Sequence, residues 1–210
     1  MDTAVSLVQA YLRVNGYFTV SEYPVLEATR SGHQMATDLD VLGFRFPGAG
    51  RAVSGRPAGT WRFEPDPRLG CPPGRADMLI GEVKEGRARL NPAIRDPEVL
   101  GVALTRFGCC TAEDQGQLIT SLLRHGHATT RAGHLVRFVA FGSGTTAPPD
   151  VHTAVDLAHV VRFLRAYLRD HWDVLRHAEF KDPTLGFLAM LEKAPGTERR
   201  KRRRSHEEAR

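Results

Sequence analysis

The chain has 210 residues, 41% of them apolar, which suffices for one hydrophobic core of ordinary size with at most an appendage. Its formal charge of +5 is concentrated in residues 197–210, where seven Arg or Lys face three Glu, while residues 1–196 balance 22 basic against 21 acidic side chains. No run of about 18 apolar residues exists and Met1-Asp2-Thr3-Ala4 lacks the features of a signal peptide, so neither a membrane-spanning helix nor export is expected, and a cytoplasmic location is.

Residues 3–14 place Val5, Leu7, Val8, Tyr11 and Leu12 on one side of a 3.6-residue period, and Gly16 closes the predicted helix. Residues 17–28 and 34–46 are rich in aromatic, β-branched or alternating apolar residues and predict a hairpin turning near Ser31-Gly32. Alternation in the second strand puts Asp38, Asp40, Leu42, Phe44 and Phe46 on a common face. Residues 48–75, full of Gly, Pro and Arg, read as a long loop with a short ordered piece at Thr60-Trp61-Arg62-Phe63. Residues 76–90 resume as a central strand, with Met78, Ile80, Glu82 and Lys84 on one face and Leu79 and Val83 on the other.

Asp96-Pro97 predicts a helix start and Gly108 its end; Thr111-Ala112-Glu113-Asp114 opens a second helix running to His125. Short strands follow around 128–131 and 134–141. A Gly, Thr and Pro loop then leads to one long helix over 153–176, and Asp182-Pro183 caps a last helix ending near Lys193. This order predicts an α/β fold of the α+β sandwich kind, with a mixed central sheet flanked by helices. Residues 1–194 are expected to form one domain, with 48–75 as a loop insertion, 150–194 as a C-terminal helical extension and 195–210 as a disordered basic tail.

Lys84 draws attention because only four of the 29 basic residues are lysines (Lys84, Lys181, Lys193, Lys201). An arginine is always charged and holds its donors in a planar fork, whereas an ammonium is a compact charge whose pKa responds to its surroundings. Lys84 lies two residues after Glu82 at the end of an apolar run. A metal ion that assists phosphodiester hydrolysis needs hard oxygen ligands and a nearby group to orient water, and Mg²⁺ is commonly held by one or two carboxylates. Asp40 and Glu82, on strands about 4.8 Å apart, could supply those carboxylates, with Lys84 projecting beside them.

An aspartate followed after a gap by Glu-x-Lys at the end of a buried strand, with a helix and a hairpin before it, resembles the PD-(D/E)xK nuclease superfamily over residues 3–141. The resemblance implies a restriction-endonuclease-like core. It makes Asp40, Glu82 and Lys84 the catalytic residues, and Asp40, Glu82 and the backbone carbonyl of Val83 the metal ligands. Asp38 and Glu22 are secondary candidates. Many relatives also carry a glutamate in the first helix; here only Asp2, at its start, could substitute. The resemblance further implies Mg²⁺, with Mn²⁺ as a substitute, and DNA as the substrate ahead of RNA. No membrane partner is expected, and a homodimer is among the open oligomeric states. A nuclease-fold module that binds nucleic acid or a protein without turnover is the alternative.

Arg199, Arg200, Lys201, Arg202, Arg203 and Arg204 form a basic run without apolar content, suited to sequence-independent contact with phosphates. Cys71, Cys109 and Cys110 fit neither a disulfide framework nor a CxxC zinc site and are read as reduced thiols. His125, His127 and His134 lack the converging partners zinc requires. Gly142-Ser143-Gly144 is neither a phosphate loop nor a nucleophile elbow.

Overall fold

A computed structural model describes residues 2–50, 64–144 and 152–194. The expected ordered piece at Thr60 to Phe63 and the basic run Arg199 to Arg204 lie outside the described residues. The chain divides into two compact units, Met1–Val160 and Val161–Arg210.

The first unit begins with helix α1 (Thr3–Val14), whose N-cap Asp2 accepts the Ala4 N–H at 2.6 Å. Its stripe of Val5, Val8, Tyr11 and Leu12 is buried, and the chain leaves through Gly16 at φ 88°. Strands β1 (Phe18–Thr29) and β2 (Gly32–Arg45) form the antiparallel hairpin. Strand β3 (Asp77–Arg87) pairs antiparallel with β2 along Val41–Arg45, so, among the described residues, 32–40 have only β1 as a strand partner. Helices α2 (Pro97–Phe107) and α3 (Ala112–His125) follow, capped by Asp96 and Gly108 and by Thr111 and Gly126, as local chemistry dictates. Strand β4 (His127–Thr129) turns antiparallel into β5 (Leu135–Ser143), which lies parallel to β3.

The expectation of one helix over 153–176 is corrected. Thr153–Asp156 is strand β6, parallel to β5 at residues 139–142; helix α4 is Leu157–Asp170, and Trp172–Leu175 forms a separate turn, α5. Thr153 and Val155 suit a strand, and Asp156 accepts the N–H groups of Ala158 (2.6 Å) and His159 (3.3 Å), which sets the helix start four residues later than its apolar period suggests. The sheet order is β1-β2-β3-β5-β4, with β6 sharing the far edge of β5. Six strands and six helices among the described residues make the mixed α+β sandwich expected from the sequence. In the second unit, helix α6 (Pro183–Lys193) is capped by Asp182, and Glu192 on it receives Arg165 of α4 at 2.9 Å. Among the described residues no helix is long and apolar enough to cross a membrane.

Two side-chain layers cover the sheet of the first unit. Leu42, Met78, Ile80, Val136 and Phe138 pack with Leu100, Leu104, Leu118 and Leu122 of α2 and α3. On the other side Tyr11 of α1 meets Phe141 edge to face. Within that side Arg137 and Asp77 are wholly buried and form a bidentate ion pair, with Nε to Oδ1 at 2.9 Å and Nη2 to Oδ2 at 2.7 Å. Arg137 also donates to the Leu69 carbonyl and the Thr153 hydroxyl, both at 2.9 Å, and the Tyr17 hydroxyl donates to Asp77.

Removing one member of a buried pair strands the other charge, at about 3–5 kcal/mol. Arg137→Met should therefore lower the urea-unfolding free energy by that amount, and adding Asp77→Leu should recover a substantial part of the loss.

Candidate functional site

Three acidic residues on neighbouring strands stand at one level of the backbone register. Val41 pairs with Gly81 across β2 and β3, and continuing that antiparallel register by one residue sets Asp40 opposite Glu82. Across β1 and β2, the pairs Ser21 with Val41 and Tyr23 with Leu39 bracket Glu22 and Asp40, which face each other. Gly81 permits this close arrangement, since a Cβ there would lie 2.5 Å from Cγ1 of Val41.

The row coincides with a slip in the pleat. Val20 and Tyr23 in β1, and Leu39 and Leu42 in β2, stand three residues apart, yet all four pack into the layer under α2 and α3. Strict alternation would send each pair to opposite faces. Among the described residues Glu22 is the only non-glycine with a positive φ, 51°, and this left-handed turn lies at the slip. Such a conformation costs of order 1–3 kcal/mol in a non-glycine residue and persists only where surrounding structure imposes it. The expectation that Asp38 and Asp40 continue the Leu42 and Phe44 face is corrected accordingly: the alternation breaks at Asp40, leaving Asp38 exposed and Asp40 half-buried.

Contacts tie the row together. Asp40 Oδ2 accepts the N–H of Val83 at 2.7 Å, and Lys84 Nζ lies 2.5 Å from Glu82 Oε1. The Glu82 side chain is only 2% exposed, that of Lys84 35%. Asp2, the sequence's substitute for a first-helix glutamate, spends its carboxylate capping α1, and its main-chain N–H donates to Glu22 Oε1 at 3.0 Å. The structure thus brings Asp40, Glu82 and Lys84 together, with Glu22 facing Asp40 across the hairpin and Asp38 near enough for its charge to act on Asp40 and Glu82. The slip at Glu22 carries no sequence signal, since a glutamate in an apolar strand predicts no left-handed residue.

Electrostatics follow from burial. Desolvation pushes the Glu82 carboxyl up to about 7; the Lys84 hydrogen bond pulls it down and the charge of Asp40 pushes it up. Desolvation also raises Asp40, against the opposing Val83 N–H and Lys84. Burial pulls the Lys84 ammonium down, but its hydrogen bond to Glu82 and the charges of Glu82 and Asp40 outweigh this, so its pKa lies above the ordinary value. Lys84 therefore stays a cation and a proton donor at neutral pH. Glu82 holds its proton part of the time there.

Hard carboxylate oxygens on adjacent strands, one deeply buried, fit a small divalent cation, which needs no more than one or two such ligands beside water. Among the described residues no group of three or more His, Cys, Asp or Glu converges as a metal cluster. Neither a family model, nor a curated protein, nor a solved structure matches the chain.

A carboxyl raised on folding stabilises the protein fully below its ordinary value of 4.5, and that contribution is lost as pH rises through about 7. Measured in EDTA, wild-type stability should fall across that window relative to Glu82→Gln. Carboxyl ¹³C NMR should place the Glu82 midpoint near 7, and Lys84→Ala should move it upward.

Proposed function

We propose that the chain is a Mg²⁺-dependent nuclease of the PD-(D/E)xK superfamily that hydrolyses phosphodiester bonds, with DNA as its substrate. The observation that carries the reading is the juxtaposition of Asp40 and Glu82 on neighbouring strands with Lys84 ion-paired to Glu82. Asp40 and Glu82, with the carbonyl of Val83, would hold the ion, with Asp38 and Glu22 as secondary candidates. Such an ion, when bound, polarises a phosphoryl oxygen and lowers the pKa of a coordinated water.

The side chains have separable tasks. Lys84, held as an ammonium by Glu82 and Asp40, offers N–H donors to a phosphate oxygen and to an attacking water, and it stabilises negative charge as that charge grows. Protonated at neutral pH, it is an electrostatic donor rather than a base. Glu82, with a carboxyl near 7, can take up or release a proton in the physiological range. The Val83 N–H fixes the rotamer of Asp40 from the strand that carries Glu82, so the two acids move as one rigid element. Arg199 to Arg204 and the arginines of residues 48–75 supply sequence-independent contacts to the phosphate backbone.

The alternative reading is a nuclease-fold module that binds nucleic acid or a protein without turnover.

Plasmid, single-stranded DNA and RNA incubated with Mg²⁺ or Mn²⁺ separate the readings. Wild type should cut DNA, and Asp40→Ala and Lys84→Ala should each lose at least about 10²-fold in rate, the magnitude typical of deleting a group aimed at transition-state charge. Wild type that binds DNA with a steep salt dependence but cuts nothing under either metal is the inactive module. Normal cutting by both variants overturns the site assignment.

A further inference from the structure

Next to the acidic row along β1 lies a groove of about 670 Å³, lined by Tyr23 of β1, by Glu98, Gly101, Thr105 and Arg106 of α2 and by Gln115 of α3. From its geometry we infer that this groove receives an unstacked nucleobase of a single-stranded nucleic acid, which deepens and rests on the nucleic-acid reading of the Asp40, Glu82 and Lys84 site.

Four observations carry the inference. The Arg106 guanidinium stands over the Tyr23 ring, 5.6 Å from its centroid, so the ring braces a planar cation that is itself exposed. Every base has a π face, and a guanidinium plane held in this way stacks on it without regard to sequence. The lining also carries a polar group: Gln115 Nε2 donates to the Gly101 carbonyl (3.3 Å) and to the Thr105 hydroxyl (2.9 Å), which commits both amide hydrogens and leaves its carbonyl oxygen as an acceptor for a base edge. The groove's size, about 670 Å³, falls within the range of about 300–1,000 Å³ of small-molecule sites.

Position supplies the fourth. Tyr23 follows Glu22 directly, and the pleat slip turns it onto the α2 and α3 side of the sheet, the side that Met78 and Ile80 share by alternation with Glu82 and Lys84. The groove therefore lies on the same side of the sheet as Glu82 and Lys84, and Tyr23 joins it along β1 to Glu22. A base stacked within a duplex has both faces covered and cannot enter, so the groove selects single strands or an extruded nucleotide.

Fluorescence anisotropy of the full chain in EDTA tests this, with a fluorescein-labelled 20-nucleotide oligothymidylate against a 20-base-pair duplex. Wild type should prefer the single strand. Tyr23→Leu should weaken single-strand binding by about 5-fold or more, within the range for one lost base stack, and should leave duplex binding within about twofold. Tyr23→Phe should keep wild-type binding to both. Arg106→Gln, at an exposed position, should also weaken the single strand selectively, and it decides the matter if thermal melting shows Tyr23→Leu misfolded. Unchanged binding in both variants, equal loss on both substrates, or no binding of either oligonucleotide by wild type overturns the inference.

The outcome is separable from the nuclease reading. If wild type cuts nothing yet binds single strands through Tyr23, the nuclease reading falls and the groove stands. If it cuts DNA while Tyr23→Leu binds as wild type does, the groove falls and the nuclease stands.

Discussion

Arg137 is fully buried and always charged, and a guanidinium cannot escape that condition by losing its proton. The first unit satisfies it by drawing parts of the chain that are remote in sequence to one point. Asp77 comes from the start of β3, the Leu69 carbonyl from the loop before it, Tyr17 from the junction of α1 and β1, and Thr153 from β6. Burying the pair gains little compared with apolar residues of the same volume. Its effect is selective, because only one arrangement leaves neither charge orphaned. That arrangement fixes β3 against β5, and β3 carries Glu82 and Lys84 a few residues further along the same strand. A second polar knot next to it reinforces the constraint: Asp66 accepts from the Tyr11 hydroxyl and the His159 ring, while its own N–H reaches the Asn15 side chain at 2.6 Å.

With β3 anchored, the acidic row becomes a matter of register. Antiparallel pairing places Asp40 beside Glu82, and the Val83 N–H locks the Asp40 carboxylate to the neighbouring strand. The left-handed Glu22 stores strain at the same level of the sheet, where strain of this kind tends to accompany functional geometry. The same slip that exposes Asp38 carries Tyr23 over to the helical side. One backbone irregularity thus shapes both the carboxylate row and the groove beside it.

Much of this architecture was legible because it is written locally. Asp96-Pro97 with Gly108, Thr111, and Asp182-Pro183 are capping signals that act within a few residues, and the helices they bound lie where the sequence puts them. The alternation of Met78, Ile80, Glu82 and Lys84 was readable for the same reason. What escaped depends on partners distant in the chain. Residues 153–156 become a strand only because β5 offers a free edge, and their apolar period continues smoothly into the helix that follows. Arg137 is one arginine among many until Asp77 is known to meet it. The left-handed Glu22 is imposed by pairing on both sides of it, and the T-shaped stacking of His127 on His152 at 4.8 Å joins residues 25 apart that no motif connects.

The separation of Asp77 and Arg137, sixty positions along the chain, also orders events during synthesis. The β1 and β2 hairpin is complete early, and β3 can zip to it as soon as it emerges from the ribosome. At that moment its carboxylate has no counter-ion and its far edge has no neighbour, because β5 is still being translated. Until then the nascent sheet presents an open, apolar margin of the sort that recruits other chains, so its safe maturation depends on how quickly translation delivers residue 137, or on a chaperone covering the gap.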